Sequence, residues 1–258
     1  MTVGSLVVVG SGIRLAQQCT PEARAAIAGA DMVYAVMSDT LGLSWLKGIN
    51  TNVVSLQGFY GEQRNRGDTY DQMRDAIVGA VRAGKKICAV FYGHPGIFVT
   101  PSHEAVRDVR ALGLSAIMLP GISAEDCLCA DLGVDPGQTG SQSYEATDFI
   151  IYARQIDTTA ALILWQIGVV GEFTGAFEPD PRRLALLSEI LCESYPAHHI
   201  VIVYEAATLP LTKAKVARLA LSELACAEVS QASTLYVPPL APPQKSAARV
   251  ALLKQRLG

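Results

Sequence analysis

The sequence predicts an α/β protein built as two consecutive lobes. Apolar runs of strand length alternate with helix-start signals along most of the chain, as in a sheet covered by helices. Two of those runs stop abruptly in glycine-rich turns, at the strand ends where open α/β sheets bind ligands. Half of the 258 residues are hydrophobic and 17% are charged, so extensive burial is expected.

Ser5 to Val9 is an apolar run ending in Gly10-Ser11-Gly12. Thr20-Pro21-Glu22 supplies an N-cap, a proline at the first helical position and an acid in the first turn, opening a helix to about Gly29. Met32 to Met37 and Val53 to Leu56 read as strands. Asp68 is placed to cap a helix from Thr69 to about Ala83, with Ile77, Val78 and Val81 on its apolar face and Gly84 closing it. Ile87 to Phe91 reads as a buried strand, cut by Tyr92-Gly93-His94-Pro95-Gly96. Thr100-Pro101 opens a helix to Gly113, and Ser115 to Leu119 is a short strand. Pro120-Gly121 marks the expected boundary between a lobe of residues 1–119 and one of 120–240, with 241–258 as a tail. Ser123, followed by Glu125 and Asp126, starts a helix. Leu132 to Gly140 is a turn-rich loop, and Ser141 to Tyr152 reads as strand, helix or both. Ala161 to Trp165, Ile200 to Tyr204 and Ser233 to Val237 read as strands, and Asp180-Pro181 opens a helix to about Ser194. A stiff exit at Pro238 to Pro243 leads to a short basic-apolar helix.

Composition narrows the function. No apolar run is long enough to span a bilayer, and no signal peptide opens the chain. A net charge of −3 argues against a nucleic-acid binder, which would carry a basic stripe. Six cysteines make no disulfide framework; they read as reduced, mostly buried thiols of a cytoplasmic protein. Cys127 and Cys129 lack a second Cys or His pair at ligand spacing, so no metal site is expected.

Several motifs suggest chemistry. Gly93 and Gly96 carry no Cβ, so main chain can lie directly against a ligand there; the alternative is a plain strand-to-helix turn. Gly10-Ser11-Gly12 lacks the third glycine of a dinucleotide fingerprint, since Leu15 stands in its place, and reads as a tight turn. No phosphate-binding G-x-x-x-x-G-K-[ST] loop and no G-x-S-x-G elbow occurs. Ser102, His103 and Glu104 are consecutive on a predicted helix and cannot face one another, so they read as an ordinary helix start. His198 and His199 read as solvated or capping. The segment from Phe59 to Tyr70 is polar, basic at its centre and aromatic at both ends. Arg66 and Tyr70 are four apart and would share a helix face. An arginine beside a phenol favours the phenolate, one route to a base that works near neutral pH. The alternative is solvated arginines and half-buried packing tyrosines.

Taken in order, Gly4-Ser5-Leu6-Val7-Val8-Val9-Gly10-Ser11-Gly12, Tyr92-Gly93-His94-Pro95-Gly96, Pro120-Gly121-Ile122-Ser123-Ala124 and Ser233-Thr234-Leu235 resemble the tetrapyrrole methylase superfamily. Arg66-x-x-x-Tyr70-x-Gln72-Met73, Tyr144-Glu145-Ala146, Trp165-Gln166-Ile167 and Ser233-Thr234-Leu235-Tyr236-Val237-Pro238-Pro239 narrow this to a resemblance to the borosin peptide backbone α-N-methyltransferases, over about Val3 to Pro239. The resemblance implies a class III methyltransferase fold with S-adenosylmethionine in the cleft between the lobes and S-adenosylhomocysteine as product. It implies Tyr60, Arg66, Tyr70 and Tyr92 around the reacting amide. For the cofactor it implies Tyr92, His94, Ile97, Ser123, Ala124, Gln166, Ser233 and Thr234. It further implies a homodimer. The short tail after Pro239, rich in Ala, Lys, Arg and Leu, resembles the split form that methylates a separate precursor peptide, which would give a heterotetramer with two precursors.

Overall fold

The computed structural model describes residues 3–37, 39–60, 66–173 and 179–258, except for the side chain of Arg66. Packing divides the chain into two units. The first gathers residues 3–132 with Ala206–Ala214, and the second gathers Gly133–Glu172, residues 179–205 and Lys215–Gly258. The division by packing thus follows Leu132, whereas the composition suggested Pro120-Gly121.

The first unit runs β1 (Ser5–Gly10), α1 (Pro21–Gly29), β2 (Met32–Val36), α2 (Thr40–Lys47), β3 (Val53–Ser55), α3 (Arg66–Arg82), β4 (Lys86–Phe91), α4 (Thr100–Ala111), β5 (Ser115–Met118) and α5 (Ala124–Leu132). Its sheet is parallel, in the order β3-β2-β4-β1-β5. Residue alternation sends Leu6, Val8, Ile87, Ala89 and Phe91 into one core with Ile77, Val81, Ala105 and Val109 of α3 and α4. The intervening Val9, Val33, Ala35, Cys88 and Val90 face Ala23, Ile27 and Leu46 of α1 and α2. Burial on both faces explains why these strands read as unbroken apolar runs.

The second unit runs α6 (Pro136–Thr139), β6 (Ser141–Glu145), α7 (Ala146–Ile151), β7 (Ala161–Trp165), α8 (Pro181–Cys192), β8 (Ile200–Glu205), β9 (Lys215–Ala220), β10 (Thr234–Val237) and α9 (Ala247–Leu257). Its sheet, β6-β7-β10-β8-β9, is parallel only between β6 and β7. Leu184, Leu187 and Leu191 of α8 pack with Leu221 and Leu224 over Leu162, Leu164, Val201, Val203 and Leu235.

Three expectations change and one open reading is settled. Asp68 is not a cap: α3 begins at Arg66, so Asp68 lies in its first turn, where a carboxylate favours the helix dipole. The turn-rich loop contains α6, started by Asp135 accepting from Gly137 N–H at 2.8 Å. Ser141 to Tyr152 is both strand and helix; Glu145 ends the strand and caps α7 by accepting from Asp148 N–H at 2.8 Å. Of the six free cysteines only Cys88 is fully buried, and burial pushes its thiol up to about 12.

One polar side chain ties the end of α1 to the loop between α2 and β3. Asn50, nearly buried, donates from Nδ2 to the carbonyls of Ile27 and Ala30, each at 2.9 Å, and accepts from Asn52 N–H at 2.9 Å. It thereby satisfies a carbonyl of the last turn of α1 that has no helical partner. We expect Asn50→Ala to cost about 2 kcal/mol, because buried polar groups lose their partners. Urea unfolding with an unchanged m value measures this; a loss under about 0.5 kcal/mol would show the clamp to be idle.

Candidate functional site

In the first unit the chain exits from β1 and β4 run past each other. β1 connects to β2 beyond β4, and β4 connects to β5 beyond β1, so their exits head in opposite directions. They pair there as an antiparallel bridge: Gly93 N–H donates to Gly12 O at 2.9 Å and Gly12 N–H to Gly93 O at 3.3 Å. A Cβ on Gly10 would lie 2.1 Å from Gly93 O and 2.9 Å from Pro95 Cδ, so no side chain fits at that crossing. Gly93 itself turns with φ +71°, a backbone open to glycine at little cost.

The turn after Gly93 is clamped from α4. Ser102 Oγ, fully buried, lies 2.5 Å from Pro95 O and 2.8 Å from Val99 O. His103 Nε2 donates to Gly96 O at 2.8 Å, and Gly96 N–H donates to His94 Nδ1 at 3.0 Å. In sequence Ser102 and His103 read as an ordinary helix start. Their neighbours in space lie three or seven residues back, on the turn, and nothing in the local pattern signals that. His94 is thereby tied into the turn's own backbone. Tyr92, Ile97 and Phe98 stand exposed on the same turn, Tyr92 at 50%.

The β1 exit is shaped by Gln18, which accepts from Ile13 N–H at 3.0 Å and Arg14 N–H at 2.7 Å. Its Nε2 lies 3.4 Å from Cys127 Sγ on α5, whose thiol is raised by burial. Ser123, just before α5, gives N–H and hydroxyl to Asp126 Oδ2 at 2.7 and 2.6 Å, while its Oγ accepts from Asp126 N–H at 3.1 Å. The Ser123 hydroxyl is therefore engaged as a helix cap, with Ala124 as the first helical residue.

The aromatic ends of the 59–70 segment come together. Thr69 Oγ1 donates to Phe59 O at 3.4 Å, and Phe59, Tyr60 and Tyr70 all pack on the core cluster that includes Phe91, the residue before Tyr92. Arg66 opens α3, so Arg66 and Tyr70 stand four apart on one helix; the Arg66 side chain and residues 61–65 lie outside the described residues.

In the second unit Gln166, Ser233 and Thr234 lie together. Gln166 follows β7 with φ +60°, a left-handed backbone that a non-glycine residue adopts at a cost of about 1 kcal/mol or more. Ile167 N–H donates to Ser233 O at 3.1 Å, joining the end of β7 to the start of β10. The Ser233 hydroxyl donates to Glu205, a residue with no local motif around it in the sequence. Among the described residues no group of three or more His, Cys, Asp or Glu could hold a metal ion, and no helix is long and apolar enough to cross a membrane.

Solved structures of known proteins share this fold. Uroporphyrin-III-C-methyltransferase from Thermus thermophilus superposes with a TM-score of 0.65 at 17% identity, covering 100% of this chain and 98% of that one. A structure of that enzyme complexed with S-adenosylhomocysteine gives 0.63 at 18% identity, over 91% and 92%. The fold is the α/β class III methyltransferase fold. Residues 5–225 match the tetrapyrrole (corrin/porphyrin) methylases, and the chain belongs to that family. A methyltransferase/type I borosin cyclic peptide precursor of Coprinopsis marcescibilis is 40% identical over 249 residues, 94% of this chain and 64% of that protein. A methyltransferase/omphalotin A precursor of Omphalotus olearius is 40% identical over 247 residues, 92% of this chain and 58% of that protein. This chain thus spans less than two thirds of these relatives' length, and both relatives are methyltransferase and precursor in one protein by name.

The loop crossing sets a test. Gly10→Ala should cost about 1–3 kcal/mol in thermal unfolding, because backbone at 2.1 Å must move. Gly79→Ala is the contrast: exposed within α3 with nothing within 4 Å of its Cβ, it should stabilise by about 0.5–1 kcal/mol. Equal effects of the two would contradict the close approach.

Proposed function

We propose that this chain methylates backbone amide nitrogens of a ribosomally made precursor peptide, using S-adenosylmethionine. One observation carries the reading. The relatives named above, alike over 92–94% of this chain, couple a methyltransferase to a ribosomal cyclic-peptide precursor. The cofactor residues we assign are Tyr92, His94, Ile97, Ser123 and Ala124 in the first unit and Gln166, Ser233 and Thr234 in the second. The exposed apolar surface of Tyr92, Ile97 and Phe98 on a glycine-rich turn suits a ligand carrying an adenine and a sulfonium. The hydroxyls of Ser123 and Ser233 already bond within the protein, so their part is to hold backbone in place.

An amide N–H is a very weak acid, and its nitrogen lone pair is delocalised into the carbonyl. Bound S-adenosylmethionine would supply a methyl already activated by its sulfonium, leaving S-adenosylhomocysteine. The chain's own task is to loosen the proton and hold the amide. Tyr70 takes the N–H proton or weakens its bond, and Arg66, four residues earlier on α3, supplies the accompanying charge. Tyr60 and Tyr92 donate hydrogen bonds to the carbonyl oxygen as negative charge builds there. Packing of Tyr60 and Tyr70 on one core cluster supports their acting on a single amide.

The peptide, in this reading, is a separate chain, and the enzyme a homodimer engaging two precursors. Exposed Ile151 and Tyr152 at the end of α7 offer apolar surface for a subunit interface. A cytoplasmic setting accords with free thiols.

Tyr70→Phe should lower kcat by about a hundredfold or more while cofactor affinity stays within about twofold. Wild-type turnover by this variant would remove Tyr70 from the chemistry. Mixing the protein with a peptide on a second polypeptide, followed by intact mass, tests action in trans. If only a tetrapyrrole macrocycle gained methyls, the peptide reading would fall.

A further inference from the structure

Glu205 ends β8 at a point where three strands of the second sheet present their ends together. β10 runs antiparallel to both neighbours, so its start at Thr234 lies beside the ends of β7 and β8. The Glu205 side chain is 14% exposed. Its Oε1 accepts from the Ser230 hydroxyl at 2.6 Å and from the Ser233 hydroxyl, and its Oε2 pairs with Lys215 Nζ at 2.8 Å.

Those two serines bracket a turn that is otherwise closed on itself. Ser233 N–H donates to Ser230 O at 3.1 Å, Ser230 N–H to Ser233 Oγ at 2.8 Å, and Ala232 N–H to Ser230 Oγ at 3.1 Å. The turn also presses on the segment after Gln166. A Cβ on Gly168 would lie 2.1 Å from Ser230 O, and Ile167 N–H donates to Ser233 O. Every group facing Glu205 in this network is a donor, and only an ionised carboxylate answers donors at both oxygens. Burial alone would raise this carboxyl, but the hydrogen bonds from Lys215, Ser230 and Ser233 outweigh it and hold it at about 2.

The geometry points to Glu205 as a positioning residue for the cofactor. It fixes the Ser230–Ser233 turn, and through that turn the backbone at Gln166 and Thr234, without touching the cofactor itself. This rests on the cofactor reading given under the proposed function. A carboxyl with a lowered pKa contributes fully above its unfolded value of about 4.3 and loses that contribution only as pH falls through about 2. Its effect should therefore be constant across neutral pH.

Calorimetry with S-adenosylhomocysteine is the test. Glu205→Gln should raise Kd about tenfold, equally at pH 6 and pH 8, with kcat at saturating S-adenosylmethionine within about twofold of wild type. Ser230→Ala should raise Kd in the same direction, and the double variant should bind within about twofold of Glu205→Gln, because both break one network. Lys215→Met should leave Kd within about twofold, since that ammonium is largely exposed. A merely structural glutamate would lower the melting temperature and leave Kd alone. The inference is overturned if Glu205→Gln folds and binds like wild type, or loses kcat with Kd unchanged. Should Glu205→Gln not fold, Ser230→Ala decides by the same criterion. Wild-type protein that fails to bind S-adenosylhomocysteine would bring down the cofactor reading as well, whereas binding by wild type and variants alike would sink this inference alone.

Discussion

The first unit depends on two backbones passing with no side chain between them. The strand order sends the exit of β1 toward β2 and the exit of β4 toward β5, so the two run antiparallel at Gly12 and Gly93. At Gly10 the other backbone is close enough to exclude even a methyl group. Everything downstream follows from that close approach. The 93–99 turn emerges in one direction, α4 receives it, and Ser102 and His103 lock its carbonyls. The exposed side chains of Tyr92, Ile97 and Phe98 are thereby set on a stiff support. Preorganised surfaces of this kind lose little entropy when a ligand arrives.

The second unit solves the same problem with charge. Its loops at Gln166 and Ser230–Ser233 are held by a carboxylate, two hydroxyls and one tight glycine contact at Gly168. Gln166 keeps its left-handed backbone because the surroundings over-determine it. Glycine fixes a loop by removing volume, whereas Glu205 fixes one by satisfying donors. A carboxylate network is worth having only when each member is satisfied, and here the donors at Glu205 match its two oxygens.

Much of this was legible in the sequence, for identifiable reasons. Strands buried on both faces, such as β1, β4 and β7, are continuous apolar runs bounded by glycine, proline or polar residues. α1 and α8 carry their cap and proline side by side, so local chemistry sufficed. What escaped was either short or dependent on distant partners. α2, capped by Asp39, is short and interrupted by Gly42. β9 is an exposed edge strand with little apolar periodicity, recognisable only once β8 lies beside it. The candidate site shows the same division. The glycine turns and the Arg66–Tyr70 spacing are written in adjacent residues. Ser102, His103, Gln18 and Glu205 act across seven to 109 positions of sequence, where no window reads them.

Fold and family leave the acceptor to be determined by chemistry, since one methylase scaffold can serve different nucleophiles. What distinguishes this chain is a set of phenols gathered on one core cluster and an arginine one helical turn from one of them. Such a set has a clear use where a proton must leave a very weak acid next to an oxygen that gains charge. Tandem mass spectrometry of a precursor peptide, incubated with the protein and methyl-labelled S-adenosylmethionine, tests this most directly. The account predicts label on main-chain nitrogens, visible as backbone fragments shifted by whole methyl groups with side chains unmodified. Label confined to side chains, or cofactor bound and no label in any peptide, would contradict it.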